Sequence, residues 1–319
     1  MASLVTRKVK GKIYYYLEKN VRVGKKFRKF SEYLGDNKPT KKILENYEKG
    51  IQKQISDYYK LELVKPDTEF VSVATAKSLE RIKQETAEFI ERLSAIEKKK
   101  WVEAERDKFI TNTNAIEGST LTLDETKKIL RKKAILGSER ERLEVLNMGK
   151  CLERYDQYIK INKEIDDMMI LQLHYILLNE VPDYDKYKGI WRLIDVEIRT
   201  SKFEFPHFKH VSGLMKKLIE QYTKQKESVH PVELAAKLHC SLTTIHPFAD
   251  GNGRIARLLM NYVLQKNGFP FTNIPVKKRD EYFQTQEEGH KQNYKGFTDF
   301  LVKQIKENHK QLKNKFNKN

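Results

Sequence analysis

Apolar residues recur at three- and four-residue spacing through most of this chain, the period of amphipathic helices. The pattern predicts helices over Lys41–Leu61, Thr75–Ala95 and Trp101–Thr113, with Trp101, Phe109 and Ile110 as core contacts and Lys65-Pro66-Asp67 between the first two. Thr122-Leu123-Asp124-Glu125 is a capping box that opens a helix to about Ala134, and Ser138 caps another to about Ile161. Asp166–Leu178, Val211–Thr223 and Pro231–Thr244 continue the series, with Pro231 at a first-turn position. The run Leu258–Leu264 and two closing helices, about Arg279–His290 and Asn293–Phe316, complete it.

Two regions break the period. Around the turn Arg199-Thr200-Ser201-Lys202, residues Leu193, Ile194, Val196, Ile198, Phe203 and Phe205 alternate with polar ones, which predicts a β-hairpin over about 192–205. Near the N-terminus, Ile13–Leu17 and Phe27–Leu34 are rich in strand formers about the turn-like Val23-Gly24-Lys25-Lys26. That reads as a small hairpin or three-stranded meander, closed by Gly35–Thr40. The predicted fold class is mainly α: a helical bundle carrying a hairpin, plus a small N-terminal β region. The expected division is 1–40, a basic β-hairpin region; 41–135, N-terminal helices; and 136–319, the main helical domain.

Composition adds limits. The 319 residues, 39% apolar and 33% charged, suffice for an ordinary buried core. No run reaches membrane-span length, and the first residues lack the apolar core of a signal peptide, so a cytoplasmic location is expected. Cys151 and Cys240 are far apart and form no CxxC pair, which indicates neither a disulfide framework nor a zinc site. The net charge is +18, yet acids and bases are mostly interleaved, as on a Lys-rich surface. Residues 7–29 are the exception, with ten Lys or Arg and only Glu18 acidic. A basic, tyrosine-interleaved hairpin could bind nucleic acid, pack on the main body or form a dimer contact.

The chemistry concentrates in His246-Pro-Phe-Ala-Asp-Gly-Asn-Gly-Arg-Ile-Ala-Arg257. A loop of small residues opening into a helix leaves backbone N–H groups and a positive dipole end free for an anion. Gly251 and Gly253 let phosphate oxygens approach the backbone, and Asn252 can donate its amide. Arg254 and Arg257, three apart on one helical face, can bind successive phosphates. Asp250 is a hard oxygen ligand suited to Mg²⁺, and His246 can take a proton from a hydroxyl. Phe248 packs the loop down, and His174 reads as a satisfied core histidine. Each residue alone has an ordinary explanation as helix end, turn or surface ion pair. Together in twelve positions they point to a triphosphate cradle. The Gly-Lys-[Ser/Thr] ending of a Walker loop is missing.

This stretch resembles the signature of the Fic (Fic/Doc) family, HxFx[D/E]GNGRxxR, at every fixed position: His246, Phe248, Asp250, Gly251, Asn252, Gly253, Arg254 and Arg257. The similarity extends over about residues 75–300. The resemblance implies a protein adenylyltransferase, which moves AMP from ATP to a Ser, Thr or Tyr hydroxyl of another protein or of the chain itself and releases pyrophosphate. It implies His246 as the base and Asp250 as the Mg²⁺ ligand. Asn252 and the Gly251–Gly253 backbone would sit on the α-phosphate, Arg254 on the β-phosphate and Arg257 on the γ-phosphate. Ile255 and Ala256 fall within the ATP-binding stretch, and Tyr282, Asn293 and Tyr294 are candidates for the adenine pocket. The 192–205 hairpin would be the family's flap, which pairs with the target segment. Thr113-Asn114-Ala115-Ile116-Glu117-Gly118 resembles the family's inhibitory helix, [S/T]xxxE[G/N], with Glu117 placed to pair with Arg257 against the γ-phosphate. Two alternatives stay open. The same site could remove AMP or transfer another phosphate-containing group, or the chain could be a nucleic-acid-binding regulator whose Fic domain senses nucleotide. The oligomeric state, including a homo-oligomer, is left open as well.

Overall fold

The computed structural model describes residues 2–23, 26–63, 67–133, 135–197 and 203–316. At the N-terminus, β1 (Ser3–Val9), β2 (Lys12–Val23) and β3 (Lys26–Gly35) form an antiparallel sheet in sequence order. The meander is therefore three-stranded. Its first strand, Ser3–Val9, was not marked by the sequence pattern, and the turn residues Gly24 and Lys25 lie outside the described residues. Alternation turns Leu17, Val21 and Phe30 inward onto α1 (Lys41–Leu63), where Phe30 meets Tyr58 edge-on at 5.7 Å.

The helical body begins with α2 (Val73–Arg92) and α3 (Ala95–Ile116). The start of α3 lies earlier than the apolar spacing indicated, because Ser94 and Glu97 make a reciprocal capping box. Its end is set by Gly118 at φ +112°: Gly118 N–H donates to Ala115 and Ser119 N–H to Asn114, a Schellman closure that leaves Glu117 as the C-cap. Then come α4 (Leu123–Leu130) and α5 (Glu139–Lys160), both opened by the expected capping boxes. Helix α4 stops at Leu130, short of Ala134, which is itself outside the described residues. Glu141 of the second box also accepts from Thr120 N–H, and that bond, with the one from Ser138, holds its carboxyl down at about 2. This ties the segment after α3 to the start of α5.

Helices α6 (Asp167–Leu177), α7 (Phe208–Gln225), α8 (Pro231–Ile245) and α9 (Asn252–Lys266) follow, then α10 (Arg279–His290) and α11 (Lys295–Phe316). Helices α8 and α9 form the centre, with apolar positions such as Leu242, Ile255, Leu259 and Tyr262 sealed from solvent. Among the described residues no helix is long and apolar enough to cross a membrane.

The 192–205 hairpin does not appear as a ladder. Residues 192–197 and 203–207 are irregular, and the turn with its flank, 198–202, lies outside the described residues. A reason is visible in the arms. Arg192 donates to the carbonyls of Ile194 and Pro206, so acceptors that strand pairing would use are already engaged.

Candidate active site

Helix α8 delivers His246 as its C-cap in the left-handed region, φ 50° and ψ 59°. A non-glycine residue costs roughly 1–2 kcal/mol there, so neighbours must hold it. Its N–H donates to Leu242, and its carbonyl accepts from Arg192 Nε at 2.8 Å. Its ring Nδ1 lies 3.3 Å from the Thr243 carbonyl, which assigns the proton to Nδ1 and leaves Nε2 an acceptor. Burial pushes the imidazole pKa down to about 4, although the Thr243 carbonyl pulls the other way. His246 is therefore neutral near pH 7, the form a general base needs.

The loop after it is closed from inside. Phe248 is fully buried and stacks on His174 at 3.6 Å. Asn252 Oδ1 accepts from Phe248 N–H at 2.9 Å, and its Nδ2 donates to the Phe248 carbonyl at 2.8 Å. This corrects the expectation that the Asn252 side chain serves an anion, since its amide staples the loop. His174 donates through Nε2 to the Asp250 carbonyl at 3.0 Å, and its Nδ1 accepts from Gly189 N–H at 3.1 Å. It is the satisfied core histidine expected, and it also fixes the height of the loop. Gly251 sits at φ +81°, where a Cβ would press on Leu177 at 2.9 Å. The first helical bond of α9 runs from Ile255 N–H to Gly251 O. The amides of Asn252, Gly253 and Arg254 precede it and form the anion-attracting end of the helix.

Charged side chains surround that end. Asp250 accepts from Gly251 N–H at 2.7 Å and pairs with Arg254 at 3.0 Å and Arg140 at 3.3 Å. Glu144, buried on α5, bridges Arg140 and Arg254 at 3.1 Å each. Arg254 is buried, yet its Nε and Nη1 have no aligned acceptor, so Glu144 reaches it as a charge rather than a hydrogen bond. Burial alone would lower the Arg254 pKa, but Asp250 and Glu144 more than offset it and raise it. Arg257 is bonded through all three nitrogens by contrast. Nε donates to Thr113 Oγ1 at 2.8 Å, Nη1 to Tyr282 Oη at 3.0 Å, and Nη2 to the Thr113 carbonyl at 3.0 Å and Glu117 Oε1 at 2.7 Å. The Glu117 carboxylate lies over the first turn of α9, where a Cβ on Gly253 would collide with it.

Residues 164–264 match the family model described as Fic/DOC family. This stretch is similar to a Fic domain. Among curated proteins it is 31% identical over 181 residues to protein adenylyltransferase fic-1 of Caenorhabditis elegans, covering 55% of this chain and 35% of that protein. It is 32% identical over 204 residues to protein adenylyltransferase Fic of Nematostella vectensis, covering 61% of this chain and 45% of that one. The chain thus spans less than half the length of these relatives. The fold resembles Fic-1 (residues 134–508) of C. elegans with a TM-score of 0.66 at 23% identity, covering 88% of this chain and 79% of that one. It also resembles a Fic-domain-containing signaling protein of Bacteroides thetaiotaomicron, with a TM-score of 0.64 at 27% identity over 72% of this chain and 92% of that one.

In the structure the expected site residues separate. His246, Asp250, Gly251, Gly253, Arg254 and Arg257 converge on the start of α9, with Thr113 and Glu117 brought against them by the end of α3, while Gly118 only closes that helix. Ile255 and Ala256 are fully buried core residues. Tyr282 does not line an adenine pocket, because it is sealed from solvent and bridges Arg257 to His239 Nε2 at 2.9 Å. Asn293 is exposed in the turn before α11, and Tyr294 bonds Ser241 at 3.2 Å. Four further residues belong to the site. Arg140 and Glu144 hold Asp250 and Arg254; Arg192 holds His246; and His290 stacks on Phe203 beside the Phe205 ring that touches His246. Only the i,i+4 spacing of Arg140 and Glu144 was visible beforehand, and that spacing alone marks an ordinary helix pair.

No group of three His, Cys, Asp or Glu side chains able to hold a metal unaided occurs among the described residues. Mg²⁺ needs less, being commonly held by one or two carboxylates plus substrate phosphates. Asp250, partly exposed beside the α9 amides, fits that donor set.

Proposed function

We propose that this chain is a protein adenylyltransferase restrained by its own Glu117. The observation that carries the reading is the Glu117–Arg257 pair at 2.7 Å over the amide end of α9, beside a neutral His246. ATP would lie along this end, with its α-phosphate on the Gly251–Gly253 backbone, its β-phosphate taking the unmet donors of Arg254, and its γ-phosphate on Arg257. Mg²⁺ arriving with ATP would be held by Asp250 and neutralise phosphate charge. A Ser, Thr or Tyr hydroxyl of a target protein, or of the chain itself, gives its proton to His246 Nε2 while its oxygen bonds the α-phosphorus. The bond from that phosphorus to the bridging oxygen breaks, and pyrophosphate leaves with the electron pair. Leu193 and Ile194, 67% and 49% exposed beside the site, suit docking of the target segment. While Glu117 holds Arg257, the γ-phosphate has no place, so transfer is inhibited. The reaction fits a cytoplasmic protein.

The test is incubation of Glu117→Gly protein, with and without His246→Ala, with α-labelled ATP, Mg²⁺ and a cell lysate. Label on protein and an intact-mass gain of one AMP are expected for the single variant, and neither for the double. A mass gain of phosphate alone, or labelling that survives His246→Ala, would overturn the assignment.

A further inference from the structure

The outer face of the N-terminal sheet takes no part in this chemistry. Strand register places Tyr16 opposite Tyr33 and Arg22 opposite Phe27, pointing away from the α1-facing side. Phe27 is 72% exposed and Tyr33 52%, although burying aromatic rings is a main source of folding energy. Cations accompany the rings: the Arg7 guanidinium lies 4.3 Å above Tyr16, and that of Arg22 lies 5.1 Å from Phe27. Tyr16 and Tyr33 themselves meet at 5.4 Å, tilted by 49°. The acid on this face, Glu18, is neutralised by Arg7 and Lys29. Residues 1–35 hold ten Lys or Arg against two acids, eight of the chain's net +18.

We propose that this face binds single-stranded nucleic acid, with Tyr33 and Phe27 stacking on bases and Arg7, Arg22 and Lys29 contacting phosphates. Charge complementarity selects a polyanion. The exposed rings select one with flat apolar faces between its charges, which neither an acidic peptide nor a lipid headgroup layer presents in alternation. Phe27 and Tyr33 are six residues apart on β3, about 20 Å, so successive platforms are reached by an extended strand of several nucleotides.

The experiment measures fluorescence anisotropy of labelled mixed-sequence single-stranded DNA and RNA with the full chain over a salt series. Binding is expected to weaken with a log–log salt slope of about −1.4 to −2, from three cations at about 0.7 each, one of them offset by Glu18 until it is displaced. The triple variant Arg7→Gln, Arg22→Gln, Lys29→Gln flattens that slope. Phe27→Ala and Tyr33→Ala each weaken binding roughly tenfold at fixed salt, and Tyr33→Phe does not. These positions are exposed, and unchanged AMP transfer by the same substitutions in a Glu117→Gly background verifies an intact fold. Absence of binding at low salt, equal affinity for anionic vesicles or polyphosphate, or indifference to loss of the rings would each overturn the proposal.

Discussion

Replacing Glu117 by glycine tests the restraint where its energy can be estimated. The carboxylate accepts one charge-assisted bond from Arg257, and its side chain is 33% exposed. Such bonds contribute about 1.5–3 kcal/mol, and partial exposure places this one near about 2 kcal/mol. Removal does not orphan the buried guanidinium, because Thr113 Oγ1, the Thr113 carbonyl and Tyr282 still accept from it. Those oxygens are neutral, however, so the buried cation loses its carboxylate partner, and part of the roughly 3–5 kcal/mol penalty for breaking a buried ion pair falls on stability, reduced by the partial exposure of Glu117. About 2 kcal/mol is a factor of about 30 in the population of Arg257 open to phosphate. Initial rates of AMP incorporation at sub-saturating ATP should rise about 30-fold in Glu117→Gly. Glu117→Gln keeps the volume without the charge and should give a smaller rise. The urea midpoint should fall modestly, since glycine at this αR C-cap adds backbone freedom and buried Arg257 loses its carboxylate partner. A wild-type rate in Glu117→Gly protein that is still folded at the assay temperature would refute the reasoning.

Three further outcomes follow from the same geometry. Because burial holds His246 at about 4, its base form persists through mild acid, so kcat/KM of the Glu117→Gly protein should stay level from about pH 8 to 5 and fall only towards 4; a loss centred near 6.5 would contradict this. His174 and His246 are both depressed to about 4 in the fold and regain an ordinary pKa near 6.5 on unfolding, so the unfolded chain binds more protons between those values; stability is fully present above 6.5 and declines as pH falls towards 4, read as a lower urea midpoint at pH 5 than at pH 7. Glu144→Gln strips the buried Arg254 of one of its two counter-charges, and a loss of about 3 kcal/mol by urea unfolding is expected, with little change signalling that Asp250 suffices. Tyr282→Phe removes the acceptor for Arg257 Nη1 and should raise the KM for ATP about tenfold in the Glu117→Gly background, with kcat less affected.

Local chemistry was readable from residues close together in the chain. The Thr122–Glu125 and Ser138–Glu141 boxes started helices where they stood, and the same signal in Ser94–Glu97 would have started α3 at Ala95. The residues of the His246–Arg257 stretch could be read as one cluster because one short loop carries them. What stayed hidden depends on long-range approach. Arg140 meets Asp250 across 110 residues, and Tyr282 turns from pocket candidate to buried brace only when α10 packs on α8. Asn252 misled for a different reason: an amide four residues from Phe248 can bond outward or back to the chain, and composition does not distinguish the two. The alternation at 192–205 promised a ladder, and the guanidinium of Arg192 claimed its carbonyls.

The ligands of Arg257 divide unequally between lock and frame. Three of its four hydrogen bonds go to Thr113 and Tyr282, and only the fourth goes to Glu117. Swinging α3 away would break the Thr113 pair and leave a buried cation short of acceptors. Rotating the Glu117 side chain breaks one bond and leaves the arginine aimed as before. Relief of the proposed restraint would thus be cheapest as a rotamer change at the tip of a stationary helix. Under that proposal an activating signal would need only to find that carboxylate a better partner, and amide exchange along α3 would barely register the event.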